Sequence, residues 1–135
     1  MNIDKVIAYT DGAARGNPGP AAIGVIIKDE SGKTVASISR RLGTTTNNQA
    51  EYRAIIAALE EAISLGARNV VIKSDSELVV KQINGQYKIK NTALRPLYQE
   101  VVRLIGALES FSITYIPRER NAAADALANK ALDSI

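Results

Sequence analysis

The chain contains neither cysteine nor histidine, and these two absences limit the chemistry that it can perform. Without cysteine there is no thiol nucleophile and no zinc–thiolate site, and we expect a reducing compartment. Without histidine, the commonest general base and the commonest transition-metal ligand in proteins are both missing. Acid–base or metal chemistry must therefore use carboxylates, lysine, tyrosine or water.

Long apolar runs are also missing. No stretch approaches the roughly 20 apolar residues of a membrane span, and charged residues interrupt the N-terminal region where a signal peptide would lie. We expect a soluble, cytoplasmic protein without a membrane partner. The length of 135 residues predicts one domain over residues 1–135, and the net charge of +3 permits a polyanionic partner without requiring one.

The pattern of apolar residues and turn residues predicts the order of strands and helices. We predict strands at residues 5–11, 21–29, 34–42, 69–74 and 111–116, and helices at residues 47–64, 75–83, 94–108 and 122–132. Thr46 and Ser74 each begin a capping-box pattern, and Asn121 is the expected cap of the last helix. This order predicts an α/β fold with a five-stranded mixed sheet, an antiparallel meander extended by parallel crossovers and flanked by helices.

Two of the predicted strands end in the same way. Residues 7–11 are Ile-Ala-Tyr-Thr-Asp and residues 71–75 are Val-Ile-Lys-Ser-Asp, and Gly12 then begins a glycine-rich turn. If the two strands are parallel neighbours, Asp11 and Asp75 lie about 5 Å apart at the exposed tip of the sheet. Carboxylates so close repel one another unless one is protonated or a cation lies between them. Each aspartate alone is consistent with a turn or cap residue, whereas the matched pair favours a site.

Two further acids lie on predicted helices. Glu51 falls within the apolar face that contains Ile55, whereas Glu60 lies on the other side of the same helix. An acid on a core-facing stripe is costly unless it is paired or binds a metal, although acids near a helix start also serve as caps. Asp125 lies in the first turn of the last helix, where acids are common because of the helix dipole.

This set of acids favours a hard cation with oxygen ligands. Mg²⁺ shares carboxylates with a substrate phosphate, whereas Ca²⁺ needs more protein oxygens in one loop. Two Mg²⁺ ions about 4 Å apart would activate a water and stabilise the leaving oxygen of a phosphoryl displacement. That chemistry does not need a histidine.

Five motifs resemble those of the type I ribonuclease H family and occur in the order and spacing of that family across the whole chain. They are Tyr-Thr-Asp-Gly-Ala at 9–13, Gly-Asn-Pro-Gly-Pro at 16–20, Thr-Asn-Asn-Gln-Ala-Glu at 46–51, Ser-Asp-Ser at 74–76 and Asn-Ala-Ala-Ala-Asp-Ala-Leu-Ala-Asn at 121–129. The resemblance implies the ribonuclease H-like fold and hydrolysis of the RNA strand of RNA–DNA hybrids. It also implies 5′-phosphate and 3′-hydroxyl ends and two Mg²⁺ ions, for which Mn²⁺ can substitute.

The resemblance also implies roles for individual residues. Asp11 matches the acid that bridges both metal ions, Glu51 and Asp75 match ligands on the leaving-group side, and Asp125 matches the ligand near the attacking water. Five residues match positions that contact the hybrid, namely Asn17, Thr46, Asn47, Asn48 and Gln49. The short amides among them can reach 2′-hydroxyls and base edges in the minor groove, and the position of Thr46 helps to hold a DNA phosphate.

The chain departs from the family pattern in two places. Only residues 84–96 fill the place of a basic helical protrusion that many members have. The basic residues there, with Lys81, give a reduced phosphate footprint or simply a solvated face. The loop before the last helix lacks the histidine of many members. We assign its place to Arg118, a cation that cannot shuttle protons, with Glu119 or Arg120 as the alternatives.

Two other functional classes are consistent with this kind of fold. A non-catalytic nucleic-acid-binding module is disfavoured because such a module has no need of four acids that repel phosphate. A related two-metal nuclease, such as an integrase or a junction resolvase, is disfavoured by the asparagines that match hybrid-contacting positions. We therefore expect a ribonuclease H that acts on RNA–DNA hybrids as a monomer, with no protein partner implied.

Overall fold

A computed structural model describes residues 3–134 of the chain. Its elements follow the order β1 (Lys5–Ala14), β2 (Gly19–Asp29), β3 (Thr34–Thr45), α1 (Asn47–Ser64), β4 (Asn69–Ser74), α2 (Glu77–Ile83), α3 (Arg95–Ile105), β5 (Ser110–Tyr115) and α4 (Ala122–Asp133). A short 3-10 turn, Arg118–Arg120, precedes α4. No helix in this described part of the chain has the length and apolar character that crossing a membrane requires.

The strands form one mixed sheet in the order β3-β2-β1-β4-β5. β1, β2 and β3 are antiparallel neighbours, whereas β4 pairs in parallel with both β1 and β5. β3 lies at an edge, as its polar sequence predicted. The sheet therefore confirms the predicted α/β fold, an antiparallel meander extended by parallel strands.

The helices cover the two faces of the sheet. Alternate residues of β2 point to opposite faces, so that Val25 and Ile27 join the main core with Ile55 and Leu59 of α1, whereas Ala22 packs with the end of α4. α3 packs on α1, and α4 contacts β1, β2 and β3. Residues 84–94, between α2 and α3, contain no helix, which confirms that the basic helical protrusion is absent.

The first strand is longer than predicted. Gly12, predicted to begin a turn, instead pairs with Ile23, and the antiparallel ladder with β2 continues to Ala14. The parallel ladder with β4 ends earlier, at the pair Thr10 and Ser74. Asp11 is therefore a buried residue within a long strand, only 5% exposed, and does not lie at an exposed tip.

One predicted helix cap is wrong, and a second occupies the predicted N-cap position without a capping hydrogen bond. Ser76, rather than Ser74, caps α2 by accepting a hydrogen bond from the Val79 N–H, whereas the Ser74 hydroxyl accepts one from the Ser76 N–H. Asn121 precedes α4, but its side chain makes no cap hydrogen bond. The predicted cap of α1 is confirmed, since the Thr46 hydroxyl accepts from the Gln49 N–H at 3.3 Å.

Two glycines allow helices to approach the sheet at backbone distance. A Cβ atom on Gly12 would lie 2.2 Å from the carbonyl carbon of Ala50 in α1. A Cβ atom on Gly24 would lie 2.0 Å from the carbonyl oxygen of Ala124 in α4. Real atoms cannot approach so closely, so both contacts need a residue without a side chain. The separation between each helix and the sheet is thus set by backbone contact.

We expect Gly24→Ala to lower the free energy of unfolding by about 2 kcal/mol or more, because the added methyl group overlaps the backbone of α4. Gly106→Ala is the control, since its nearest non-neighbouring atom, the Arg103 carbonyl oxygen, lies 3.3 Å away and a small shift relieves the contact. Denaturant titration of the parent and both variants measures the difference. Equal losses in the two variants would contradict the close contact with α4.

Candidate active site

Three acids meet where the parallel ladder of β1 and β4 ends. Asp11 and Asp75 each follow one member of the last ladder pair, Thr10 and Ser74. Glu51 reaches the same place from α1. One carboxylate oxygen from each of the three acids lies within 4.8 Å of the others. The sequence predicted this meeting of strand ends and helix, and the structure places the three residues together.

Glu51 is held by the backbone of β1. Its carboxylate is buried, and Oε1 accepts a hydrogen bond from the Gly12 N–H at 2.7 Å. The N–H of a residue inside an antiparallel strand is reachable here because Gly12 has no side chain to keep α1 away. The same glycine thus brings Glu51 close to Asp11 and supplies the hydrogen bond that orients it.

Asp125 and Arg118 complete the cleft. The cleft has a volume of about 260 Å³ and is lined by Asp11, Gly12, Ala13, Asn47, Glu51, Asp75, Ser76, Arg118 and Asp125. Asp125 lies in the first turn of α4 and is not one of the three tightly grouped acids. The Arg118 guanidinium is 80% exposed and lies 3.7 Å from Asp125 Oδ1. Arg120 lines a different cleft, with Tyr9 and Lys28, so the structure brings Arg118 rather than Arg120 to the acids.

Burial and like charge weaken the acidity of the grouped carboxyls. Burial, followed by the charges of Asp75 and Asp125, raises the pKa of Asp11 to about 7. Burial, followed by the charges of Asp11 and Asp75, raises the pKa of Glu51 well above its usual value, although the Gly12 N–H opposes this rise. The grouped carboxyls are therefore more stable when they bind either a proton or a metal cation.

Several of the residues predicted to contact the hybrid bond to one another or to the backbone around the start of α1. The Asn47 N–H donates to Asn17 Oδ1 at 3.1 Å, and Asn47 Oδ1 accepts from the Ala14 N–H at 3.4 Å. Gln49 Oε1 accepts from the Thr45 hydroxyl. Of the five residues, only Asn47 lines the acidic cleft, whereas Asn17 lies exposed and Asn48 half-buried.

Sequence reasoning missed the part that Asn121 plays at this site. Its side chain is 1% exposed, and Nδ2 donates to the Thr10 carbonyl oxygen at 2.8 Å and to Asp75 Oδ2 at 3.2 Å. An asparagine just before a helix resembles a cap, and that local signal concealed its long-range contacts. The only sequence signal toward the site is its place in the motif that ends in Asp125.

The donor set fits a hard divalent cation. All the candidate ligands are carboxylates, which Mg²⁺ and Mn²⁺ accept readily. Asp11 Oδ2 is buried and has no hydrogen-bond partner among the described residues. A buried carboxylate oxygen without a partner is costly, and a bound cation would relieve both that cost and the repulsion among the acids.

Comparison with known proteins agrees with this geometry. The reverse transcriptase-like family matches residues 9–131. A ribonuclease HI of Halobacterium salinarum is 46% identical over 129 residues, which cover 96% of this chain and 65% of that protein. The crystal structure of RNase H1 from this archaeon superposes with a TM-score of 0.95 at 45% identity, covering 97% of this chain and 99% of the other. LC11-RNase H1, solved in complex with an RNA/DNA hybrid, has a TM-score of 0.90 at 44% identity, covering 95% and 96% of the two chains.

The fold and the acidic cleft define an α/β domain of the reverse transcriptase-like class. Within that class, the chain belongs to the type I ribonuclease H family. The chain spans about two thirds of the length of the Halobacterium relative, namely 65%.

We expect the stability of the metal-free protein to fall as the pH rises from about 4 to above 7. The pKa of Asp11 is higher in the folded protein, about 7, than its ordinary value of 3.8, so folding favours the protonated form and this contribution is lost as pH rises through 7. Asp11→Asn removes it, and at pH 8 the free energy of unfolding of the variant should exceed that of the parent by on the order of 4 kcal/mol. Unfolding in EDTA across this range measures both slopes. Identical slopes would contradict the raised pKa.

Proposed function

We propose that the chain is a ribonuclease H that hydrolyses the RNA strand of RNA–DNA hybrids and leaves 5′-phosphate and 3′-hydroxyl ends. In this proposal residues 1–135 form a single catalytic domain that acts as a monomer. The observation that carries the proposal is the group of acids in one cleft, two of them buried, within a chain of the type I ribonuclease H family. The likeness to LC11-RNase H1, which was solved with a hybrid, supports the choice of substrate.

Asp11, Glu51, Asp75 and Asp125 would hold two Mg²⁺ ions, with Mn²⁺ as a substitute. When bound, such ions supply activation of water and stabilisation of the leaving oxygen. Asp11, which is central and buried, would be shared between the ions. Glu51 and Asp75 would serve the leaving-group side. Asp125, whose charge also raises the pKa of Asp11, would serve the water side.

The chain prepares this site before substrate arrives. Glu51 is fixed by the Gly12 N–H, and Asp11 is fixed by the central strand. Because the pKa of Asp11 is about 7, a cation must displace a proton from part of the molecules at neutral pH. Prepared carboxylates need little rearrangement when the ions bind, which favours rapid assembly of the loaded site.

The amides beside the cleft would recognise the hybrid through its minor groove. Asn17 lies just before β2, and Asn47, Asn48 and Gln49 lie in the first turn of α1. Their side chains can reach 2′-hydroxyls, which distinguish RNA from DNA. The bond between Asn17 and Asn47 joins the connection between β1 and β2 to the start of α1. Recognition would therefore occur at a fixed distance from Asp11 and Glu51. Thr46 would contact a phosphate of the DNA strand.

Arg118 would act on the phosphate that cleavage releases. Its exposed guanidinium lies beside Asp125 at the edge of the cleft. A guanidinium binds phosphate oxygens through several N–H groups but does not lose a proton near neutral pH. Arg118 can therefore stabilise or draw off a phosphate, and it cannot serve as the base.

We expect the parent protein with Mg²⁺ to cleave the RNA of a labelled hybrid and to leave duplex DNA and branched DNA intact. Asp11→Asn should abolish cleavage while hybrid binding stays equal or becomes tighter, because a negative charge that faces phosphate is lost. Glu60→Gln, which removes an exposed acid from α1, is the control and should cleave normally. Gel analysis of the products and a binding titration measure these outcomes. Cleavage of branched DNA alone would favour the resolvase class, and activity of Asp11→Asn near that of the parent would contradict the assigned site.

We expect Arg118→Ala to lower steady-state turnover by about tenfold or more, because the cation nearest the cleaved phosphate is lost. The unfolding temperature should change little, since the side chain is 80% exposed. Arg120→Ala, in the same 3-10 turn, is the matched comparison because Arg120 lines another cleft. Turnover that is lost in Arg120→Ala and kept in Arg118→Ala would assign the role to Arg120 instead.

A further inference from the structure

We propose that Asn121 is a positioning residue that orients Asp75 and holds the separate parts of the acidic cleft in register. This inference rests on the proposed function, since it assigns a task within the same site. It begins from a polar side chain that is 1% exposed and that caps no helix.

The side chain of Asn121 joins the two strands that carry acids. Nδ2 donates to the carbonyl oxygen of Thr10, the residue before Asp11, at 2.8 Å. The same nitrogen donates to Asp75 Oδ2, just beyond the end of β4, at 3.2 Å. A hydrogen bond to one carboxylate oxygen restricts the rotation of Asp75 and so fixes which way the other oxygen points.

The backbone of Asn121 also forms hydrogen bonds with Asp125 and Arg118, the two cleft residues near the start of α4. Its carbonyl oxygen accepts from the Asp125 N–H at 3.1 Å, and its N–H donates to the Arg118 carbonyl oxygen at 2.9 Å. One residue thus bonds directly to Asp75, Asp125 and Arg118, and to the neighbour of Asp11. Among the four acids, Glu51 is held from the other side, by the Gly12 N–H.

The amide oxygen of Asn121 indicates that the amide nitrogen, the donor group, is what makes asparagine suitable at this position. Oδ1 is buried and has no hydrogen-bond partner among the described residues. A buried acceptor without a partner lowers stability, so an asparagine chosen only for packing would be a poor choice. The two donated hydrogen bonds explain why an amide occupies this place.

Removal of the donor should lower catalysis and metal affinity more than it lowers the stability of the fold. Asn121→Ala should lower kcat by about tenfold or more, with KM for the hybrid within about threefold of the parent. The dissociation constant for Mg²⁺ or Mn²⁺, measured by calorimetry without substrate, should rise by about tenfold. Asn121→Asp keeps the size of the side chain but replaces the donor with a carboxylate that repels Asp75, so its kcat should fall at least as far.

Asn84→Ala is the matched control. Asn84 follows a helix, and its Nδ2 donates to the Ile113 carbonyl oxygen of β5 at 3.3 Å, outside the acidic cleft. This variant loses the same kind of bond between an amide and a strand, and it should keep the kcat and metal affinity of the parent. All assays are run at a temperature where circular dichroism shows each variant folded.

The outcomes separate this inference from the proposed function. Parental kcat in a folded Asn121→Asp variant would overturn the positioning role, as would losses in Asn121→Ala that match those in Asn84→Ala. If Asn121→Ala does not fold, the Asp variant decides alone. A parent that binds Mn²⁺ but does not cleave hybrid would refute the proposed function, while the calorimetry still tests Asn121.

Discussion

Repulsion among buried carboxylates is the interaction on which the whole cleft depends. Asp11 and Glu51 are both at most 5% exposed, and the charge of Asp11 raises the pKa of Glu51. N–H groups of neighbouring residues hold two of the acids in place. The Gly12 N–H donates to Glu51, and the Asn121 side chain donates to Asp75. These neutral donors orient the acids without cancelling their charge. The cleft therefore keeps a strong preference for a divalent cation, at the expense of stability in its absence.

Much of the fold could be predicted because its signals are local. Apolar runs identified the strands, helical periodicity placed Glu51 among core residues, and the matching ends of two strands predicted that Asp11 and Asp75 lie together. The mixed sheet then followed from the order of the elements. The link from the acids to a hybrid substrate came from resemblance to a family, since spacing alone is also compatible with other nucleases.

The remaining errors have a common physical cause. Ser74 and Ser76 are the same residue type two positions apart, and only the real start of α2 decides which one caps it. Gly12 is of a residue type that is common in turns, but pairing with β2 keeps it in the strand. Asn121 has the local features of a cap, but tertiary contacts direct its amide to the Thr10 carbonyl oxygen and to Asp75. In each case a distant partner, which one stretch of sequence does not contain, determines the outcome.

The backbone contacts at Gly12 and Gly24 set the shortest distance at which α1 and α4 can approach the sheet. Elsewhere in these interfaces, side chains separate the elements, and a change in their volume is absorbed by small shifts. At the two glycines, backbone rests on backbone, beside Glu51 in one case and Asp125 in the other. The distances between the acids of the cleft therefore do not depend on the exact volumes of the side chains in the core. Redesign of the core for heat resistance can consequently proceed residue by residue without recalibrating the distances between the acids.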